Sequence, residues 1–282
     1  MRLNQRRRRQ RVIILIGLFL LTAGLVISTP SLIAAMPSAS GSPASSRQGD
    51  WPTIGSGAGA MRFEHLGIQE DLSDNSVLAV FQDSLGFLWV GTQEGLNKFD
   101  GYEFVVYTAD LDNPNSLSDS TITALAETGD GSFWVGTQNG GLNQFDPNQQ
   151  VFNQIHLIGE EAKGLDRKIS TMLVDSQDWL WIGTQAGLIR LDPDDGSITR
   201  YQHDLDDEGS LSNNEILTLF EDPSGRIWVG TANGLNLLER DGSFRRYLTG
   251  VSSGVSTVTS IEGDVEDALW FGSRGGLVHF SM

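Results

Sequence analysis

The chain contains no cysteine, which excludes disulfides, thiolate metal centres and thiol nucleophiles and leaves the redox compartment open. No segment carries a helical period over ten residues or more, so an all-helical or helix-rich core is excluded. Basic residues are scarce once the N-terminus is set aside. Removing Arg2, Arg6, Arg7, Arg8, Arg9 and Arg11 leaves 13 Lys+Arg against 36 Asp+Glu, a formal balance of −23. Such a surface repels nucleic acid and anionic membranes. What remains is length: 282 residues suffice to bury a core without staples.

The leading arginines precede the apolar run "VIILIGLFLLTAGLVIS" (12–28) and then small residues. This order makes residues 1–36 a signal peptide or an N-terminal membrane anchor, with cleavage and anchoring both open. The arginines stay inside and the remainder faces out, periplasmic or secreted, touching membrane only through this segment. Residues 37–60, "PSASGSPASSRQGDWPTIGSGAGA", have little to bury and form a flexible linker. The folded part is residues 61–282.

That part is repetitive. Trp89, Trp134, Trp181, Trp228 and Trp270 each precede a Gly by two residues, and Gly-Leu follows at Leu96, Leu142, Leu188, Leu235 and Leu277. Six residues before each Trp stand Asp83, Thr128, Asp175, Asp222 and Asp264. In the second unit "TITALAE", "SFWVGT", "GLNQFD" and "VFNQIHL" are short strands separated by Gly, Asp, Asn and Pro turns. Units of about 45 residues with four strands each predict an all-β propeller of about five blades.

The repeated residues read as architecture. Asp and Gly suit a tight turn between the first two strands. The Trp fills the space between blades, and the Gly beside it marks a place where only bare backbone fits. "MRFEHL" (61–66) resembles the fourth strands, and the fifth unit lacks one. Pairing of 61–66 with 276–280 closes a five-bladed ring and covers an edge; the alternative is part of a larger propeller.

The run "FQDSLGFLWVGTQEGLNKFDG", with its relatives "FEDPSGRIWVGTANGLNLL" and "LVDSQDWLWIGTQAGLIRLD", resembles the two-component regulator propeller repeat. Asp178 departs from the pattern's Gly, and the fifth copy is the most divergent, with Asp267 and Ser273. The resemblance implies the extracytoplasmic sensing part of bacterial hybrid histidine kinases and related signalling proteins, often for carbohydrate fragments. No kinase or ATP-binding module is visible in the sequence, so signalling passes through an envelope or sensor-kinase partner, or the chain is a truncated sensor. An interaction scaffold in the cell envelope is the competing reading.

No catalytic constellation is evident, and neither cofactor nor metal is expected. The acidic connectors 110–119 and 204–213 lack the Gly and terminal Glu of a calcium loop. His65, His156, His203 and His279 stand on or beside outer strands, with His65 and His279 adjacent if the ring closes. A propeller glycosidase needs two facing carboxylates, and the spacing shows none. The turns between second and third strands vary on a constant frame. Gln93, Glu94, Gln138, Asn139, Gln185, Asn233 and Arg274 are therefore the candidate contacts for a small-molecule or carbohydrate ligand.

Overall fold

The computed structural model describes residues 63–157, 167–249, 255–264 and 268–281, within a compact unit spanning Met61–Met282. The expected leader and linker lie outside the described residues. Among the described residues no helix is long and apolar enough to cross a membrane.

Five antiparallel meanders follow a short 3-10 turn at Ile68–Glu70. Blade 1 comprises β1 (Val77–Gln82), β2 (Leu88–Thr92), β3 (Leu96–Phe99) and β4 (Phe104–Tyr107). Blade 2 comprises β5 (Ile122–Glu127), β6 (Phe133–Thr137), β7 (Leu142–Asp146) and β8 (Val151–Ile155). Blade 3 holds β9 (Ile169–Val174), β10 (Leu180–Thr184), β11 (Gly187–Leu191) and β12 (Ile198–Tyr201). Blade 4 holds β13 (Ile216–Glu221), β14 (Ile227–Thr231), β15 (Gly234–Leu238) and β16 (Phe244–Tyr247). Blade 5 has three strands, β17 (Val258–Gly263), β18 (Leu269–Ser273) and β19 (Gly276–Phe280). The fold is the predicted all-β propeller architecture.

Burial explains the strand types. In β5, buried Ile122, Ala124 and Ala126 alternate with half-exposed neighbours, whereas every residue of β6 is buried. A strand covered on both faces loses its alternation. The second strands of blades 1 to 4 are therefore the sandwiched centres of their sheets. First strands of successive blades pack on one another, β1 on β5, β5 on β9, β9 on β13 and β13 on β17, and so line the inner side of the arc.

Between blades lies the core. Trp89 stacks on Phe133 of the next blade with ring centroids 4.5 Å apart and meets Phe145 edge-on at 5.3 Å. The Gly two residues on receives the next blade's first-strand side chain. A Cβ on Gly91, Gly136 or Gly183 would stand 2.7 Å from the Cγ2 of Ile122, Ile169 or Ile216. One on Gly230 would stand 2.8 Å from Val258 Cγ1. These separations are too short for a methyl group, which is why the motif needs Gly there.

The predicted closing strand does not form. Residues 63–66 take no strand conformation, and β19 is an unpaired edge. The chain ahead of β1 is tied instead to its own blade: Leu72 is buried, and the Ser73 N–H donates to Asn97 Oδ1 at 2.9 Å. The end faces of the arc are bare at Val77 of blade 1 and at Trp270 and Leu277 of blade 5. His65 and His279 are consequently not on adjacent strands.

Candidate functional site

The signature residues form the frame. In Asp83, Asp175 and Asp222 one carboxylate oxygen accepts backbone N–H groups, as Asp83 Oδ1 does from Leu85 and Phe87. The other accepts the Trp indole N–H: Trp89 to Asp83 and Trp181 to Asp175 at 2.8 Å, Trp228 to Asp222 at 2.9 Å; Asp264 likewise accepts from Trp270, at 3.1 Å. In blade 2 the Thr128 hydroxyl takes this place, 3.2 Å from Trp134 Nε1. The indole bond was absent from the sequence reading. It explains the constant six-residue spacing, since the turn must fold back onto its own second strand.

A second tie went unread. Asn97, Asn143 and Asn236, fully buried in third strands, accept the N–H of Ser73, Ser118 and Ser212 and donate to Val90, Val135 and Val229 carbonyls. They pin each connector to its blade. Blade 3 has Ile189 at this place, and its connector carries no Leu-Ser ahead of β9. The signal was therefore in the sequence, as a pair of changes that go together.

The seven predicted contact residues occupy the turns between second and third strands, one turn per blade, at one edge of the arc. All seven are exposed. Asn139 is drawn to Asp119, its N–H donating to Oδ2 at 2.8 Å. The Gln93 carbonyl accepts from Thr121 Oγ1. The acidic connectors fold as self-bonded turns: Asp110 N–H donates to Ser116 Oγ and Asp204 N–H to Ser210 Oγ. Among the described residues no group of three His, Asp or Glu side chains is poised for a metal. His203 Nδ1 lies 2.6 Å from the Leu211 carbonyl, and His279 packs on Trp270 with centroids 4.3 Å apart.

A recess lies at the opposite edge, where first strands turn into second strands and third into fourth. A groove of about 390 Å³ between blades 3 and 4 is lined by Gln177, Trp179, Arg190, Arg226, Glu239 and Arg240. Its volume falls in the range of small-molecule sites. Three separate turns build it, which is why no short stretch of sequence reveals it. Arg190 lies flat on Trp179, its Cζ 3.7 Å from the ring centroid, a cation–π pair. Its Nε is buried without a hydrogen-bond partner.

The groove's lining holds three guanidiniums, Arg190, Arg226 and Arg240, against two carboxylates, Asp175 and Glu239, on an otherwise acidic protein. Arg226 is matched by Asp222, 2.6 Å away, and Glu239 by Arg245 at 2.8 Å. Burial alone raises the Asp222 carboxyl, but the Trp228 indole, the Arg226 backbone N–H and the Arg226 guanidinium outweigh it and hold the group below its ordinary range. Among the described residues Arg190 and Arg240 have no carboxylate partner. A wider recess of about 890 Å³ on the outer edge of blade 4, lined by Glu208, Arg240, Asp241, Phe244 and Arg246, is more open.

Comparison with known proteins supports the fold. The two component regulator propeller family model matches residues 71–94, 116–139 and 210–233, the first halves of blades 1, 2 and 4. Histidine kinase P4 of Formosa agariphila is 47% identical over 47 residues, which are 17% of this chain and 3% of that protein. The extracellular domain of the hybrid two component system BT3049 of B. thetaiotaomicron superposes with TM-score 0.52 at 23% identity, over 78% of this chain and 35% of that one. That of the one component system BT4673 gives 0.57 at 19% identity, over 74% and 28%. The chain thus spans about a third of these extracellular domains. Virginiamycin B lyase of Staphylococcus aureus, an enzyme, gives 0.54 at 16% identity over 74% of this chain and 71% of the lyase, so the fold by itself does not separate binding from catalysis. The two component regulator propeller model thus matches blades 1, 2 and 4 of this propeller.

Proposed function

We propose that this chain is an extracytoplasmic ligand-binding module of a two-component-type signalling system, which binds without turnover and passes its signal to an envelope or sensor-kinase partner. The observation that carries this reading is the groove between blades 3 and 4. A half-buried Trp179, guanidiniums of Arg190 and Arg240 that have no carboxylate partner among the described residues, and the Gln177 amide converge on one recess. An aromatic face with flanking hydrogen-bond donors suits a saccharide, and the excess of guanidinium favours an acidic one. A second position for the ligand is the edge bearing Gln93, Glu94, Gln138, Asn139, Gln185, Asn233 and Arg274. It is favoured by the exposure of all seven on turns held by the frame.

Titration calorimetry of the full chain with neutral and uronate oligosaccharides tests the reading. Binding of the uronate series, weakened tenfold or more by Trp179→Ala and unaffected by Gln185→Ala, is the expected result. Dependence on Gln185 and not on Trp179 moves the site to the other edge. Heat that neither substitution changes, or hydrolysis of the sugar, overturns the proposal.

A further inference from the structure

The two ends of the arc carry the two halves of the interface that joins every inner pair of blades. On the Trp side, Trp89, Trp134, Trp181 and Trp228 are at most 4% exposed, and Leu96, Leu142, Leu188 and Leu235 at most 1%. The same positions in blade 5, Trp270 and Leu277, are 38% and 68% exposed. On the other side Ile122, Ile169, Ile216 and Val258 are at most 2% exposed, whereas Val77 of blade 1 is 45% exposed. Val80 beside it is equally bare.

The polar half of the interface is duplicated in the same way. Between blades 2 and 3 the Thr123 hydroxyl lies 3.2 Å from the Gly136 carbonyl and 2.7 Å from that of Ile169 on the next blade. Ser170 does the same toward Gly183 and Ile216. In blade 5, Thr259 reaches the Gly272 carbonyl alone, at 3.2 Å. No side chain of a following blade approaches a Cβ placed on Gly272. Thr259 and Gly272 form a seat, and Val77 is the side chain such a seat takes.

The width of the gap identifies what fits. The superposed part of this chain, five blades, accounts for 71% of the lyase chain; five divided by 0.71 sets that chain at about seven blades, within the four to eight that propellers use. The gap is then about two blades wide. A second copy brings five and collides. We infer that the end faces take a two-blade segment of the same repeat, with its outer strand pairing on β19, its first strand seated on Gly272 and its last Trp covering Val77. The occupant is propeller, and this inference holds whether or not the groove binds a sugar.

The experiment begins with urea unfolding of the full chain carrying Val77→Asp, Leu277→Asp or Ile122→Asp. The open ends predict unchanged midpoints for the first two and a large drop for the third. A large drop for Val77→Asp means that five blades close on themselves and overturns the inference. The second step places a copy of residues 104–201, an outer strand and two blades, after Met282. In that extended chain Val77→Asp should lower the midpoint as much as Ile122→Asp does. The inference fails if Val77→Asp stays neutral there, or if the extended chain aggregates or is no more stable than its parent. Dimers of the parent that Leu277→Asp dissociates on sedimentation would make a second copy the occupant and also defeat it.

Discussion

Blades 4 and 5 carry the same signature and use it differently. Trp228 and Trp270 both donate to a carboxylate six residues earlier, at 2.9 and 3.1 Å, and both follow a turn closed by the Asp backbone N–H. Trp228 is nevertheless fully buried, among Tyr247, Phe280, Ile261 and Phe271, while Trp270 leans on His279 and solvent. The turn is thus encoded within a blade, and the burial is supplied by the blade that follows. A propeller repeat specifies its shape alone and its stability only in company.

The sharpest way to break this comparison is truncation of the two indoles. Trp228→Ala should cost about 3–5 kcal/mol, because it empties a packed interface. Trp270→Ala should cost under about 2 kcal/mol, since much of its surface is already in water. Equal losses in urea melts would mean that the end face is covered in solution. The adjacent glycines give a smaller version. Gly136→Ala drives a methyl against Ile169, 2.7 Å away, and overpacking of this kind costs roughly 1–3 kcal/mol. At Gly272 the nearest atom is Ser260 Oγ, the tip of a side chain that can rotate. Gly272→Ala should therefore leave the melting midpoint nearly unchanged.

The same contrast explains what was legible in the sequence. Strand order, blade number and the roles of Trp and Gly repeat locally, so each of the five copies reports them. Strands predicted at 121–127, 132–137 and 141–146 match β5, β6 and β7 to within one residue. Ring closure is different. It depends on curvature summed over five interfaces, which no single repeat states, and the resemblance of 61–66 to an outer strand misled for that reason. The Ser73–Asn97 bond had already committed the preceding chain to blade 1. The groove was unreadable for a related cause: Trp179, Arg226 and Glu239 are distant in sequence and meet only because blades 3 and 4 are neighbours. The β2–β3 turns drew notice because they vary, yet variation on exposed turns is also what solvent permits.

The finest test lies in the turn itself, between blades 2 and 4. Asp222 Oδ1 accepts the N–H groups of Ser224 and Arg226, and Oδ2 accepts the Trp228 indole and the Arg226 guanidinium. Blade 2 does the equivalent work with Thr128, which does not titrate. The folded-state pKa of Asp222 lies below its ordinary 3.8, so the folded chain holds its proton less tightly than the unfolded one. The carboxylate's stabilisation is then complete above 3.8 and disappears as pH falls through the lowered value. Asp222→Asn should accordingly lower the urea midpoint at pH 7 and pH 5, and its deficit should shrink as pH falls below 3.8 toward the lowered value, where the wild-type carboxyl also becomes neutral. Thr128→Val, by contrast, should show one deficit at every pH. A constant deficit for Asp222→Asn would mean that the blade-4 turn depends on the shape of its acceptor and not on its charge, as the blade-2 turn does.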